Sequence, residues 1–63
     1  MSRNWLKELR KAKKIKLTDI SKKSGITVTY YKYIENGLRR PSPQVAQKIA
    51  KILDFDWKLF FET

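Results

Sequence analysis

The sequence predicts an all-α protein, a compact bundle of five helices in a single domain over residues 1–63. Apolar side chains recur at steps of three and four along almost the whole chain, which is the period of an amphipathic helix. Serine, threonine, proline and glycine stand at the ends of these runs, where helices begin and end. Strand-like alternation is limited to residues 26–29, and Gly25 in front of them favours a turn that leads into a helix.

The first two helices are predicted over residues 3–13 and 17–24. Ser2 stands where the first helix needs an N-cap, and Gly25 stands where the second needs a residue with left-handed backbone. Their inner faces follow the helical spacing and consist of Trp5, Leu6, Leu9 and Ala12, then Leu17, Ile20 and Ser21.

The third helix is predicted over residues 28–36, with Thr27 as its N-cap and Gly37 at its end. Its inner face is formed, at steps of three, by Val28, Tyr31 and Ile34. Residues 38–41, with the sequence Leu-Arg-Arg-Pro, then form a loop.

The fourth helix is predicted over residues 43–53 and a short fifth helix over residues 57–62. Ser42 followed by Pro43 combines an N-cap with a first-turn proline, and Asp56 is placed to cap the last helix. The apolar residues inside these two segments are Val45, Ala46, Ile49, Ala50, Ile52 and Leu53, then Trp57, Leu59, Phe60 and Phe61.

The charge is strongly basic and unevenly distributed. Fifteen Lys and Arg residues stand against six Asp and Glu residues, which gives a net charge of +9 and a pI near 10.1. Residues 1–40 carry twelve of the basic and three of the acidic side chains, whereas residues 41–63 carry three of each. This asymmetry indicates a face that binds a polyanion. A basic surface that is merely solvated is the alternative.

The composition argues against enzymes and metalloproteins. The chain has no cysteine and no histidine, which removes disulfides, thiolate zinc sites and the usual general base near neutral pH. The sequence also offers no glycine-rich phosphate loop and no convincing pair of carboxylates. We therefore expect no enzyme activity, no metal, no cofactor and no small-molecule substrate.

The sequence does not indicate a membrane protein either. No window approaches the ~18 consecutive apolar residues of a spanning helix, and the N-terminus lacks the ~7–15-residue apolar region of a signal peptide. Glycines and prolines at positions 25, 37, 41 and 43 interrupt the chain too often for one continuous basic amphipathic helix. We expect a cytoplasmic protein with no membrane partner.

Residues 17–37 have the spacing of a helix-turn-helix. A helix of about eight residues ends at Gly25, a turn of about three residues follows, and a second helix opens at residue 27 or 28. Ser21 is small where the second helix must approach the first closely. The apolar seam shared by the two helices is Ile20, Ile26, Tyr31 and Ile34.

The same region carries residues of specific type and spacing. They are Ser21, Gly25-Ile26-Thr27, Ile34-Glu35-Asn36-Gly37 and Arg39-Arg40-Pro41-Ser42, with Leu9-Arg10 in the first helix and Ile49-Ala50-Lys51-Ile52-Leu53 in the fourth. With them the chain resembles the Cro/CI-type helix-turn-helix family of phage repressors, the XRE family, over about residues 5–61. The resemblance implies the lambda-repressor-like DNA-binding fold.

The resemblance further implies that the third helix, residues 28–36, lies in the major groove of double-stranded DNA and touches base edges. The residues in the reading positions are Val28, Thr29, Lys32 and Tyr33. Val28 suits a thymine methyl, Thr29 a donor, acceptor or methyl contact, and Lys32 a guanine or a phosphate. Tyr33 suits a base or, equally, a phosphate. Packing of Val28 on the turn and a solvated Lys32 remain alternatives.

Contacts with the DNA backbone are implied for polar residues near the ends of the second and third helices and in the following loop. These residues are Lys14, Lys16, Thr27, Asn36, Arg39 and Arg40. Four to six such contacts predict a slope of about −4 to −5 in log K against log salt, at ~0.9 per phosphate.

Glu35 needs a separate explanation, because phosphate repels an acid next to the DNA-binding face. The resemblance implies that Glu35 pairs with Arg10 of the first helix, so that both residues are structural. A partly buried charge is tolerable only with such a partner.

Four positions depart from the pattern of the family. Leu17 stands where a DNA-contacting Gln is frequent, and Lys16 stands where a Thr or Ser cap is usual. Asp54 replaces a frequent glycine, which predicts a modestly strained turn after the fourth helix. Tyr31 replaces an aliphatic residue, and we expect its hydroxyl to need an outlet at the surface.

The last segment has more apolar side chains than a helix of five or six residues can bury on one side. We expect Trp57, Leu59 or Phe60 to close the core, and Trp57 or Phe61 to be a candidate dimer contact. Family relatives commonly bind two half-sites ~34 Å apart. The expected assembly is a weak homodimer, or a dimer on DNA.

The sequence thus predicts a sequence-specific, double-stranded-DNA-binding regulator of transcription, a Cro-like repressor or short activator that acts at an operator-like site. The alternative is a protein-interaction module, an antitoxin-like or anti-repressor partner that keeps the fold but uses another surface. Leu17 and Val28, in place of polar readers, keep this alternative open.

Overall fold

A computed structural model of the chain describes residues 3–62 and contains, within this range, four α-helices, one 3-10 helix and no strand. The elements are α1 (Asn4–Ala12), α2 (Leu17–Ser24), α3 (Val28–Glu35), α4 (Pro43–Leu53) and the 3-10 helix (Trp57–Phe61). The all-α prediction is confirmed, and each α-helix ends within one residue of its predicted boundary. Ser2, the candidate N-cap of the first helix, lies outside the described residues.

The prediction of a fifth α-helix over residues 57–62 is wrong. The segment is a 3-10 helix, in which the Leu59 N–H donates to the Asp56 carbonyl at 3.0 Å. Asp56 Oδ1 also accepts from the Lys58 N–H at 3.0 Å, as expected of a cap. A segment of five residues does not recover the cost of α-helix nucleation, and the tighter 3-10 turn places Phe60 in the core.

The helix ends in the middle of the chain contain the residues that the sequence indicates. Thr27 Oγ1 accepts from the Tyr30 N–H at 3.1 Å, and Ser42 Oγ accepts from the Val45 N–H at 3.3 Å. Gly25 ends α2 with a φ of +73°. These caps satisfy helix-end groups that have no partner inside the helix.

Two residues other than glycine have left-handed backbone in the described part of the chain. Asp54, after α4, has a φ of +61°, which confirms the strained turn predicted there. Lys14, after α1, has a φ of +56°, which the sequence does not indicate because lysine has no preference for this region.

The hydrophobic core lies where all the elements meet. Its buried residues are Leu6, Ile20, Tyr31, Ile34, Ala46, Ile49, Leu53 and Phe60. α2 packs against α3 and α4, α1 against α3, and α4 against the 3-10 helix. The described residues span only 26 × 21 × 20 Å, so each helix has one face in the core and another in solvent. Ala12, predicted on an inner face, is exposed.

Aromatic side chains close the end of the core formed by α1 and the C-terminal segment. The ring centroids of Trp5, Phe55 and Phe60 lie 5.3 to 5.5 Å apart, in edge-to-face or tilted arrangements. Such pairs contribute about 0.5–1.5 kcal/mol of stability beyond that of the surface area that they bury.

Between residues 3 and 62, no helix is both long and apolar enough to cross a bilayer.

Candidate nucleic-acid interface

The turn between α2 and α3 sets the position of α3 on the surface. The Ile26 N–H donates to the Ser21 carbonyl at 3.0 Å and the Gly25 N–H donates to the Lys22 carbonyl at 3.1 Å. Ser21 is buried, and its hydroxyl donates to the Leu17 carbonyl at 2.7 Å. A small residue, whose hydroxyl is hydrogen-bonded within its own helix, therefore lies where α2 and α3 approach each other.

One face of α3 is open to solvent. Its exposed residues follow the i, i+3, i+4, i+7 spacing, which places their side chains on one side of the helix. They are Thr29, Lys32, Tyr33 and, at the C-cap, Asn36, and we call them the α3 face. The opposite side, with Tyr31, Ile34 and Glu35, is buried.

The predicted reading residues are not equivalent in position. Thr29, Lys32 and Tyr33 lie together on the α3 face, whereas Val28 is half-buried in the first turn. Asn36, predicted only as a backbone contact, continues the same stripe one turn further along. The α3 face thus offers a hydroxyl, an ammonium, a phenol and an amide, all groups that can hydrogen-bond to base edges or phosphate.

Thr27 lies at the N-terminal edge of this surface. Its Oγ1 accepts the capping hydrogen bond from the Tyr30 N–H, and the side chain remains exposed. The cap uses a lone pair of the oxygen, so the hydroxyl hydrogen can still be donated to a phosphate.

The loop after α3 begins with a fixed backbone. The N–H groups of Leu38 and Arg39 both donate to the Tyr33 carbonyl, at 2.8 and 3.2 Å. Arg39 and Arg40 are exposed, and Leu38 has 70% of its surface accessible. This loop, residues 38–40, presents two guanidinium groups and one apolar side chain next to the C-terminal end of the α3 face.

The two lysines in front of α2 are exposed as well. Lys16 occupies the N-cap position of α2 with extended backbone and makes no side-chain cap hydrogen bond. Lys14 stands two residues earlier with left-handed backbone. Both residues therefore immediately precede the first turn of α2, and the N-terminal end of a helix dipole favours an anion.

Glu35 is buried and paired with Arg10. Arg10 Nε donates to Glu35 Oε2 at 2.9 Å and Nη2 donates to Oε1 at 3.2 Å, while Nη1 donates to the Ile15 carbonyl at 3.0 Å. The hydrogen bond to Glu35 raises the pKa of Arg10. This two-point contact joins α1 to the end of α3 and neutralises an acid that would otherwise repel phosphate.

The expectation that the Tyr31 hydroxyl reaches the surface is wrong. Tyr31 is completely buried, and its ring belongs to the core. Burial, and then the neighbouring Glu35 carboxylate, raise the pKa of Tyr31 well above its ordinary value. The hydroxyl lies close enough to Glu35 and Arg10 for both charges to act on it, although no partner within hydrogen-bonding distance and angle is found for it among the described residues.

A role for Arg3 is not predicted from the sequence, although its side chain contacts the end of α3. Its guanidinium Nη1 donates to the carbonyl of Ile34 and, at 3.2 Å, to that of Arg39. These partners are 31 and 36 residues away, and Arg3 belongs to no periodic pattern. Sequence spacing alone therefore gives no signal for this contact.

The candidate dimer contacts form a separate surface. Trp57 is half-buried and Phe61 is 37% exposed, and their rings meet edge to face with centroids 5.8 Å apart. Leu59, considered for closing the core, is instead exposed beside them, whereas Phe60 is buried. This exposed aromatic group lies on the C-terminal 3-10 helix rather than on α3.

Comparisons with other sequences agree on one family. A family model described as helix-turn-helix matches residues 6–60. The uncharacterized HTH-type transcriptional regulator YqaF of Bacillus subtilis (strain 168) is 45% identical over 62 residues, which cover 98% of this chain and 82% of that protein. The ImmF control region 10 kDa protein of Bacillus phage phi105 is 37% identical over 51 residues, covering 81% and 57% respectively.

Solved structures have the same arrangement of helices. The N-terminal DNA binding domain of SinR from Bacillus subtilis matches with a TM-score of 0.79 at 28% identity, over 95% of this chain and 88% of that one. A complex of the SinR and SinI proteins contains a chain that matches with a TM-score of 0.81 at 28% identity. That match covers 98% of this chain and 61% of the other.

Proposed function

The chain belongs to the XRE-type helix-turn-helix family of DNA-binding transcriptional regulators, and we propose that it recognises specific double-stranded DNA by placing α3 in the major groove. The observation that carries the proposal is the α3 face, a stripe of four exposed polar side chains on one side of a helix. Exposed basic residues stand in the segments before and after the helix-turn-helix, Lys14 and Lys16 ahead of α2 and Arg39 and Arg40 behind α3. A polar helix face for the bases, with cations available for the phosphates, suits a helix seated in the major groove.

The polar groups of the α3 face and the first turn of α3 supply the base contacts in this proposal. Lys32 donates to guanine O6 or N7, and Thr29 donates, accepts or presents its methyl group. Tyr33 reaches a base edge or a neighbouring phosphate. Val28, at the flank, meets a thymine methyl, the apolar feature of the major groove.

The cations and polar termini supply most of the affinity. The proposed phosphate contacts are Lys14, Lys16, Thr27, Asn36, Arg39 and Arg40. Each neutralised phosphate releases condensed counterions, so four to six contacts give a slope of about −4 to −5 in log K against log salt. These contacts fix the register of the protein on the duplex without reading sequence.

A pair of chains on DNA is the assembly that we propose, either as a weak homodimer or as a dimer formed on the duplex. The partly exposed edge-to-face pair of Trp57 and Phe61 supports this assignment, because aromatic side chains are enriched at the centres of protein interfaces. Two copies of α3 then enter successive major grooves ~34 Å apart. The protein acts as a Cro-like repressor or short activator at an operator-like site.

A protein-interaction module is the second candidate function. The observation in its favour is Leu38, which exposes 70% of its surface at the edge of the α3 face, together with the half-buried Leu17. The two candidate functions differ in the affinity for duplex DNA at moderate salt. The protein-binding version has little affinity for any duplex at moderate salt, whereas the DNA-binding version keeps a preferred site there.

Selection of binding sites from random duplex DNA tests the proposed function. We expect a conserved site made of two related half-sites whose centres lie about 10 base pairs apart, one turn of the double helix. Recovery of random sequence, with weak binding at moderate salt, would contradict the proposal and favour the protein-interaction module.

A further inference from the structure

The C-terminal end of α3 is held by a residue from the opposite end of the chain. The last four carbonyl groups of an α-helix have no partner within the helix, and in α3 these belong to residues 32–35. The Arg3 N–H donates to the Glu35 carbonyl at 2.8 Å, and Arg3 Nη1 donates to the Ile34 carbonyl at 2.5 Å. Arg3 thus donates to the Glu35 carbonyl and adds a second bond to the Ile34 carbonyl, which also accepts from the Gly37 N–H at 3.2 Å, and it places a cation at the negative end of the helix dipole.

The same guanidinium continues into the loop that carries the two exposed arginines. Arg3 Nη1 also donates to the Arg39 carbonyl at 3.2 Å. On the other side, the N–H groups of Leu38 and Arg39 attach the loop to the Tyr33 carbonyl. The backbone of residue 39 is therefore held through its N–H and through its carbonyl, each time by a group outside the loop.

Arg3 is itself held in place by the aromatic end of the core. Its guanidinium carbon lies 5.6 Å from the ring centroid of Phe60, and Phe60 packs against Trp5 and Phe55. Burial, and then the charge of Arg40, lower the pKa of Arg3. The two like charges repel, so the Arg3 guanidinium disfavours positions of the Arg40 guanidinium close to it.

We propose that Arg3 is a positioning residue for DNA binding, which holds the loop of residues 38–40 so that Arg39 and Arg40 reach the phosphate backbone together. Arg3 acts through this loop, because its Nη1 donates to two carbonyls, one of them in the loop, and its guanidinium lies over the Phe60 ring. This inference rests on the proposed function, because it assigns the geometry of the phosphate contacts made there.

A double-mutant cycle with the selected duplex tests the inference. The four proteins are the wild type, Arg3→Met, Arg39→Ala/Arg40→Ala, and the triple variant. If Arg3 acts through the loop, Arg3→Met weakens binding about tenfold in the wild type but less than about twofold once the two arginines are gone, a coupling of the size seen for residues in contact. Equal fold-losses in both backgrounds would overturn the proposal, since a general structural role or a direct phosphate contact by Arg3 gives additive effects.

Two further variants separate positioning from charge. Lys51→Met removes one exposed positive charge on α4 and is expected to change binding much less than Arg3→Met. Arg3→Lys keeps the charge but loses the planar guanidinium that joins both carbonyls, so it is expected to lie between wild type and Arg3→Met. If Arg3→Lys binds as the wild type does, or if Lys51→Met loses as much as Arg3→Met, the positioning role is rejected.

A measurement on the free protein tests the inference independently of DNA binding by the variants. Heteronuclear ¹H–¹⁵N NOE values of the Leu38, Arg39 and Arg40 amides report the order of the loop on the fast timescale. We expect them to fall in Arg3→Met, or in Arg3→Lys if the first variant does not fold, and to remain unchanged in Lys51→Met. Unchanged values in the Arg3 variants would overturn the inference. A wild type that binds no duplex would instead count against the proposed function, while the NOE comparison still decides the role of Arg3.

Discussion

At the scale of single residues, an acid next to the proposed DNA-binding surface is tolerated only if another residue neutralises it. Glu35 is the last residue of α3, and without a partner its carboxylate would weaken the attraction of the neighbouring cations for DNA. Arg10 contacts both carboxylate oxygens, so the pair is neutral, and the two side chains are only 11% and 8% exposed. Removing one member of such a pair costs about 3–5 kcal/mol because the other charge stays buried without compensation. The pair therefore serves the position of α3 and the charge of the surface at once.

Tyr31 makes stability depend on pH at the alkaline end. Its pKa is raised in the folded protein by burial and by Glu35, while in the unfolded chain a tyrosine ionises near pH ~10. Above that pH the unfolded state releases the proton and the folded state keeps it, so the free energy of unfolding falls as pH rises. We expect this fall to be smaller in Tyr31→Phe, measured as the difference in denaturation midpoint between pH 8 and about pH 11. The same fall in both proteins would show that Tyr31 does not cause it.

Val28 tests base reading by a single side chain. In Val28→Gln, an amide that hydrogen-bonds to adenine replaces an apolar group that suits a thymine methyl. We expect the preference to change at one base pair of each half-site, by roughly 1–3 kcal/mol of discrimination. Site selection with both proteins measures this change. Identical selected sites would mean that Val28 packs on the turn and reads no base.

At the scale of elements, helix ends explain why so much of the fold is visible in the sequence. The caps at Thr27, Ser42 and Gly25 act through bonds to residues within three or four positions, so local residue types are enough to predict them. Contacts between residues far apart in the chain cannot be predicted from local residue types in this way. The Arg3 bonds to the end of α3 and the burial of the Tyr31 hydroxyl beside Arg10 depend on how distant segments pack.

The C-terminal segment shows the same limit for an element as a whole. Apolar spacing and a capping aspartate predicted a short helix there, and a helical segment is present. Whether five residues adopt α or 3-10 geometry depends on which turn lets Phe60 reach Trp5 and Phe55. The candidate interface was also predictable only in part. Residue types are enough to predict its polar members, but the structure is needed to show that Val28 is half-buried and lies apart from the exposed α3 face.

The loop of residues 38–40 carries the second prediction about DNA. Changing Arg39 and Arg40 to Ala together is expected to weaken all duplexes by a similar factor and to flatten the salt slope by about 2, because two phosphate contacts are lost. Titrations of a selected and a random duplex at several salt concentrations measure both effects. An unchanged slope would reject the phosphate clamp, and a loss confined to the selected duplex would assign these arginines to base reading.

For the whole molecule, the net charge of +9 comes entirely from residues 1–40, which carry twelve basic and three acidic side chains. The cations of α1, α2, α3 and the following loop are exposed except Arg10, which is paired with Glu35, whereas the three acids of residues 41–63, Asp54, Asp56 and Glu62, stand before and after the 3-10 helix. Electrostatic attraction of this kind raises the affinity for every duplex and speeds association. In the proposed complex, sequence preference is left to the few side chains of the α3 face and to Val28.

The central claim is that the α3 face lies in the major groove, and chemical protection of the selected duplex tests it most directly. Dimethyl sulfate methylates guanine N7 in the major groove and adenine N3 in the minor groove, so one reaction distinguishes the two grooves. We predict that the bound protein protects guanine N7 in each half-site and that this protection weakens in Lys32→Met while the Lys51→Met control retains it. Protection of adenine N3 alone, or of neither atom, would contradict the account.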